Sequence, residues 1–245
     1  MRHLDETGFR IGGRTEWLHA ASTRTLTHYR AGTRRGDIPR HFHDGVIVHD
    51  HHKPYYTLNN VAHALCNAHH LRELKALVEI EKEPWAKKMY RLLRTACHAV
   101  NTAVARQASV LADRQIRRIT GLYKAIVDGG LTFHERQTPL ARKPGARGRA
   151  PLRTGHNLLI RLRDFKDDVL RFLFDFRVPF TNNQAEQDIR MMKVKMKISG
   201  GFRTRNGAEV FATLRSFLST AKKQGWNVLE ALTAQPRILI QNLKA

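Results

Sequence analysis

The sequence predicts an α/β protein: a mixed β-sheet comes first, a mainly helical segment interrupts it, and further helices finish the chain. Three observations carry this. The first fifty residues read as short strands set off by turn residues. From Ala68 onward the apolar residues recur at helical spacing. A basic stretch rich in Gly and Pro then separates that helical part from the last helical patterns.

The elements follow in order. Leu4 to Ile11 and Trp17 to Ala21 flank Gly12-Gly13 as a hairpin, and Leu26 to Tyr29 makes a third meander strand. A short helix is expected around Ile38 to Phe42. Gly45-Val46-Ile47-Val48-His49 is an unbroken apolar run, as in a central strand buried on both faces. Val61 to Cys66 is a further short strand. Leu71, Leu74, Leu77 and Val78 lead to a break at Glu83-Pro84, after which Trp85, Met89, Leu92, Leu93, Ala96 and Val100 mark a second helix. Another helix is expected from Val110 to Val127, stopping at Gly129-Gly130. Residues 136 to 163 hold eight Lys or Arg and no acid, with Pro139, Pro144, Gly145, Gly148 and Pro151 among them. That composition describes an exposed basic loop, centred on 136–155. Leu158 to Phe176 is again helical. After the helix that begins near Thr181, Gly200-Gly201 is a break. Ala208 to Lys223 then forms an amphipathic helix with Phe211, Leu214, Phe217, Leu218 and Ala221 inside and Gly225 as its stop. The expected organisation is a core in two parts, 1–66 and 177–245, around a helical insertion at 67–176.

Composition narrows the partners. With 245 residues the chain can bury a sizeable core. It carries 43 Lys and Arg against 21 acids, a formal charge of +22. Such an excess repels itself in a compact state and suits a phosphate polymer, so nucleic acid is the expected partner. No apolar run approaches a membrane-spanning length and no secretory signal opens the chain. Two cysteines, Cys66 and Cys97, exclude a disulfide framework and point to a reducing cytoplasm.

The chemistry concentrates in Thr181-Asn182-Asn183-Gln184-Ala185-Glu186-Gln187-Asp188-Ile189-Arg190 and its continuation to Lys197. Ala185, Ile189, Met192 and Met196 form an apolar stripe, and Glu186, Arg190, Lys193 and Lys197 form a second one about 100° round the helix. One carboxylate followed by three cations beside a buried face suits a metal ligand next to a polyanion. The plainer reading is a helix cap with solvated lysines. Asn182 and Asn183 either cap this helix or orient Glu186, and the cap is the expectation. Asp5 lies on the first strand and Asp50 ends the central one. If those strands are neighbours, a helix packed by its apolar stripe brings Glu186 beside both acids. Three such carboxylates repel one another unless cations bind, which is the logic of two-metal phosphoryl transfer, with magnesium suited to hard oxygen ligands. Asp44, which precedes its strand, is a loop acid. Arg190, Lys193, Lys197, Arg203, Arg205 and Lys53 are candidate phosphate contacts. Tyr55 and Tyr56 either stack on a strand end or pack in the core. Cys66 and His69 have the spacing of half a metal site, or of a packing Cys at a helix start. His49, His51 and His52 read as exposed strand-end histidines, or as contacts to DNA or a metal-bound water.

Several blocks resemble, in order, the signatures of the insertion-sequence-66 family of transposases. These are Leu4-Asp5-Glu6-Thr7-Gly8-Phe9-Arg10, Val48-His49-Asp50-His51-His52-Lys53-Pro54-Tyr55, Cys66-Asn67-Ala68-His69-His70-Leu71-Arg72-Glu73-Leu74, and the Thr181 to Arg190 run. Lys197-Ile198-Ser199-Gly200-Gly201-Phe202-Arg203 and Leu214-Arg215-Ser216-Phe217-Leu218-Ser219-Thr220-Ala221 continue the likeness. The resemblance implies an RNase H-like catalytic core whose Asp-Asp-Glu triad falls on Asp5, Asp50 and Glu186. It implies a helical insertion in the 136 positions from Asp50 to Glu186. It further implies two Mg2+ (or Mn2+) ions, DNA cleavage and strand transfer on transposon ends and target, action as a homo-oligomer, and a place in the bacterial cytoplasm at the nucleoid. In the family Cys66 and His69 belong to a short Cys-His motif. Family members carry DNA-recognition and zinc-binding modules ahead of the first catalytic strand, whereas only Met1-Arg2-His3-Leu4 precede Asp5, so the chain looks like the catalytic C-terminal half. The other expectations are an inactive DNA-binding remnant and a general RNase H-like nuclease.

Overall fold

Gly12 and Gly13, both at positive φ, turn the chain between β1 (Arg2–Ile11) and β2 (Arg14–Ser22), which pair antiparallel. A side chain would be strained at both positions, which is why this hairpin is legible in the sequence. The computed structural model describes residues 1–38, 44–142, 145, 147, 148 and 150–244. β3 (Thr27–Gly32) continues the meander against β2, and β4 (Val46–His49) runs parallel to β1 on its other side. With β5 (Ala62–Leu65) the described residues form one mixed five-stranded sheet in the order β3-β2-β1-β4-β5. The helix expected at Ile38 to Phe42 falls largely on 39–43, outside the described residues.

The chain divides into two compact units. One is Met1–His63 with Asn182–Ala245, the other Ala64–Thr181. In the first unit, α6 (Asn183–Ser199) and α7 (Arg205–Gln224) pack on one face of the sheet. Phe9, Ile11, Leu18, Ala20, Tyr29 and Ala31 meet Ile189, Met192, Ala208 and Ala212 there. The apolar stripe of α6 faces the sheet as its spacing requires. Leu4, Ile38, Ile47, Tyr55 and Leu58 form a second cluster. Side chains alternate along a strand, so the odd positions of β1 share the α6 face and the even ones the other.

One expectation for the C-terminal helices changes. Leu214 is 50% exposed, not inside, whereas Ala221 is buried and Phe211 packs against the core. Toward β3, α7 presents hydroxyl groups. Ser216 Oγ accepts the Tyr29 backbone N–H at 2.8 Å, and Thr220 Oγ1 accepts that of Thr27 at 3.1 Å while donating to its carbonyl. Those bonds cover the open edge of β3, which large apolar residues could not do. After α6, Gly200 sits at φ 62°, ψ −155°, a conformation suited to glycine, and Gly201 brings the chain back to β1. A Cβ on Gly201 would lie 2.6 Å from the Arg10 carbonyl oxygen. Phe202 then bridges to Ile11 and packs edge-on against Phe9 and Phe211. Two short helices, α8 (Val228–Thr233) and α9 (Pro236–Gln241), complete this unit.

The second unit is helical beyond Leu65. It runs through α1 (Asn67–Ala76), a π-helical turn at Leu77–Glu81, α2 (Pro84–Ala105), α3 (Asp113–Glu135), α4 (Thr154–Asp164), α5 (Lys166–Leu170) and a 3-10 turn at Arg171–Leu173. The stop expected at Gly129-Gly130 does not occur, because α3 continues to Glu135. Gly130 is there for close packing: a Cβ would lie 2.7 Å from Leu159 and 3.1 Å from Trp85. The single helix expected from Leu158 to Phe176 is broken at Phe165 (φ −112°, ψ 28°) into α4, α5 and the 3-10 turn. Between Glu135 and Thr154 the described residues form no helix or strand. Buried Glu83 accepts from the Trp85 indole N–H and lies 3.2 Å from His134 Nε2.

Candidate active site

Three acids distant in sequence are carried to one region of the first unit by the strand order. β1 and β4 are adjacent and parallel, with Arg2 opposite Ile47 and His3 opposite Val48. Ile47 belongs with Leu4 on the far face, so alternation gives Val48 to the face that also holds Asp5, Phe9 and Ile11. β4 ends at His49, and Asp50 follows directly at its end, two residues beyond the last position paired with β1. α6 lies on that face, and Glu186 sits in its first turn.

Electrostatics register the proximity. The Asp5 carboxyl is pushed up to about 7, chiefly by burial, then by the neighbouring carboxylate of Glu6 and by those of Asp50 and Glu186. The backbone N–H of Glu6, donating to Asp5 Oδ1 at 2.9 Å, opposes this only in part. Among the described residues, Asp5, Asp50 and Glu186 do not bring one oxygen each within 4.8 Å of one another. The expected convergence to a few ångströms is therefore incomplete, in keeping with the repulsion of like charges. Asp5, Asp50 and Glu186 offer hard oxygen donors of the kind that suits Mg2+ or Mn2+, whose charge would offset the burial and mutual repulsion of these carboxylates.

The surroundings of Asp50 contain groups that the sequence did not reveal. Its Oδ1 accepts the His52 backbone N–H at 3.1 Å, and Oδ2 lies 3.8 Å from Arg35 Nη2. Arg35 is itself fixed: Nε and Nη2 both reach Glu6 Oε1 at 2.8 Å, and the guanidinium lies 5.3 Å from the Trp17 ring centroid. Glu6, on the opposite face of β1 from Asp5, has a fully buried carboxylate that also accepts from the Tyr55 hydroxyl. Tyr55 is thus a core residue, 1% exposed. His49 is likewise buried rather than at the surface. It accepts the His51 backbone N–H through Nδ1, which leaves its Nε2 proton for His63 Nδ1 at 3.1 Å. Burial holds the His49 imidazole well below its ordinary range, consistent with that neutral form. His51, immediately after Asp50, has φ 75°, a strained conformation for a residue with a Cβ.

The role expected of Asn182 also changes. It is the N-cap residue of α6, but its side chain makes no capping bond. Its Nδ2 donates to the Leu4 carbonyl at 2.8 Å and its Oδ1 lies 2.9 Å from His3 Nδ1. Helix and strand are therefore tied one residue from Asp5 and one turn before Glu186. Further along α6, Asp188 is a packing group rather than a site group. It meets Lys223 Nζ at 2.7 Å and accepts from Ser22 and Thr27.

Arg190, Lys193 and Lys197 are exposed along α6, Arg203 is exposed between α6 and α7, and Lys53 is exposed at the start of a 3-10 turn, Lys53–Thr57. Arg205 departs from the expected set of available cations, because its guanidinium pairs with Glu16 and Glu209, each at 2.9 Å. Asp44 is a loop acid, paired with Arg2 at 2.9 Å. In the second unit Cys66 is buried at the start of α1, with the His69 N–H bonded to its carbonyl at 3.1 Å.

An uncharacterized protein of Sinorhizobium fredii (strain NBRC 101917 / NGR234), y4jO, is 38% identical over 85 residues, which are 32% of this chain and 26% of that protein's length. No solved structure matches the chain. No helix among the described residues is long and apolar enough to cross a membrane. The model of the Transposase IS66 family matches residues 1–210, most of the chain, and the chain belongs to that family.

Proposed function

We propose that this chain is the catalytic part of a DNA transposase of RNase H-like fold, in which Asp5, Asp50 and Glu186 hold the divalent ions for DNA strand cleavage and strand transfer. The observation that carries the reading is that Asp50 and Glu186, from two other parts of the chain, both act on the Asp5 carboxyl, which is raised to about 7 chiefly by burial. The order β3-β2-β1-β4-β5, with β4 parallel to β1, supports the fold assignment.

Two Mg2+ (or Mn2+) ions, when bound, supply the Lewis acidity that activates an attacking oxygen and stabilises the leaving one. The rest falls to the chain. Asp5 and Asp50 present their carboxylates from neighbouring strands, and Glu186 presents a third from the first turn of α6. Arg190, Lys193 and Lys197, which follow Glu186 at helical spacing, contact phosphates on one side, with Arg203 and Lys53 as further contacts. Such contacts position a DNA strand without reading its bases. Arg35 restrains Asp50 from the side away from α6. The partners are transposon-end and target DNA, handled by a homo-oligomer in the bacterial cytoplasm.

The test is nicking and strand joining on DNA that carries the element's ends, with and without Mg2+. Metal-dependent products that disappear in Asp50→Ala are expected. Products that persist in Asp50→Ala would remove the triad, and equal cutting of unrelated DNA and RNA hybrids would favour a general nuclease. Salt-sensitive DNA binding with no cleavage would leave an inactive DNA-binding remnant.

A further inference from the structure

Asp5 and Glu186 lie on a strand and a helix that are 181 positions apart in sequence, so some contact must fix how far apart their carboxylates sit. The buried stripe of Ala185, Ile189 and Met192 fixes the height of the helix over the sheet by close packing. Directional hydrogen bonds add a restraint along the helix, because their energy falls steeply with misalignment.

Only 1% of Asn182 is exposed, and its amide is aimed both ways. Nδ2 donates to the carbonyl of Leu4, the residue before Asp5, at 2.8 Å. With the amide nitrogen so used, Oδ1 is the acceptor for His3 Nδ1–H at 2.9 Å. The Asn182 backbone carbonyl in turn accepts the Glu186 N–H at 3.2 Å. A short path of hydrogen bonds thus runs from the strand position beside Asp5, through one side chain, to the backbone of Glu186. His3 lies on the same face of β1 as Asp5 and holds the other edge of that amide.

We propose that Asn182, held by His3, is the positioning residue that sets the spacing between Asp5 and Glu186 and thereby the affinity of the pair for a divalent ion. This rests on the metal-binding reading above. Neither residue touches the ion; both act through the carboxylates they place. Loss of groups that orient ligands from behind typically weakens metal binding about 10–100-fold.

The experiment is Mn2+ titration of the full chain, followed by electron paramagnetic resonance, for wild type, Glu186→Gln, Asn182→Ala, His3→Leu and His3→Asn. Thermal unfolding without metal is recorded for each. Asparagine at position 3 places an amide nitrogen close to where Nδ1 stands, so it can still donate to Asn182. Asn182→Ala and His3→Leu are expected to bind Mn2+ about 10–100-fold more weakly, while His3→Asn stays near wild type. Wild-type affinity in both Asn182→Ala and His3→Leu overturns the inference and leaves the metal reading standing. Equal weakening in His3→Leu and His3→Asn also overturns it, since the hydrogen bond would then be irrelevant. Wild-type binding no tighter than that of Glu186→Gln overturns the metal reading and the inference with it. Should Asn182→Ala fail to fold, the contrast between the two His3 variants decides alone.

Discussion

Replacing Asp5 by Asn should stabilise the protein, and by an amount that depends on pH. In the folded chain the Asp5 carboxyl is raised from 3.8 to about 7 by burial first, then by Glu6, Asp50 and Glu186. At 1.36 kcal/mol per unit, the ionised form is disfavoured by about 4 kcal/mol relative to the unfolded chain. The folded state binds this proton more tightly, so the contribution is fully present below pH 3.8 and is lost as pH rises through about 7. Asparagine keeps the size of the side chain and an oxygen to accept the Glu6 N–H, but it has no charge to lose. The stability difference between Asp5→Asn and wild type should therefore grow between pH 4 and pH 7, by about 2–4 kcal/mol, and level off above. Urea unfolding of both proteins at steps of pH measures it, and the subtraction cancels the other titrating groups to first order. Saturating Mn2+ should close part of the gap by stabilising folded wild type alone. A difference that stays constant from pH 4 to pH 8 would mean that folding does not raise the Asp5 carboxyl, and the electrostatic support for the convergence of the three acids would fall with it.

Adjacent glycines in α3 should respond oppositely to alanine. Gly129→Ala meets nothing within 4 Å and should gain up to about 1 kcal/mol of helix stability, whereas Gly130→Ala, which would press on Leu159 at 2.7 Å, should lose about 1–3 kcal/mol by thermal unfolding. Asp188→Ala should cost about 3 kcal/mol because it leaves the mostly buried Lys223 amine without its carboxylate. A double-mutant cycle with Lys223→Ala that shows no coupling would refute this. The triple variant Arg190→Ala, Lys193→Ala, Lys197→Ala should lower the slope of log affinity against log salt for duplex DNA by about 2–3. An unchanged slope would place the DNA elsewhere.

What the sequence disclosed and what it concealed divide along a physical line. Elements whose cause is local were legible. The hairpin at Gly12-Gly13 needs two positive φ angles, the apolar run before Asp50 needs burial on both faces, and the spacing of Ala185, Ile189 and Met192 needs a partner surface. Features whose cause is a distant neighbour were not. Gly129-Gly130 reads as a stop because glycine usually ends helices, yet here Gly130 makes room for Leu159 and Trp85. Leu214 of α7 reads as inward because apolarity is the guide, while the edge of β3 demands the hydroxyls of Ser216 and Thr220. Arg35 carries no local mark at all, since only the fold shows that Glu6 and Asp50 flank it. Asn182 was the hardest case. An Asn before a helix is ordinarily a cap, and only the crossing of α6 over β1 offers its amide the better pair of partners, the Leu4 carbonyl and His3. The same crossing brings Glu186 into the field of Asp5. The residue that sequence statistics assign to capping the start of a helix is thus the one by which tertiary structure fixes where that helix lies over the strand.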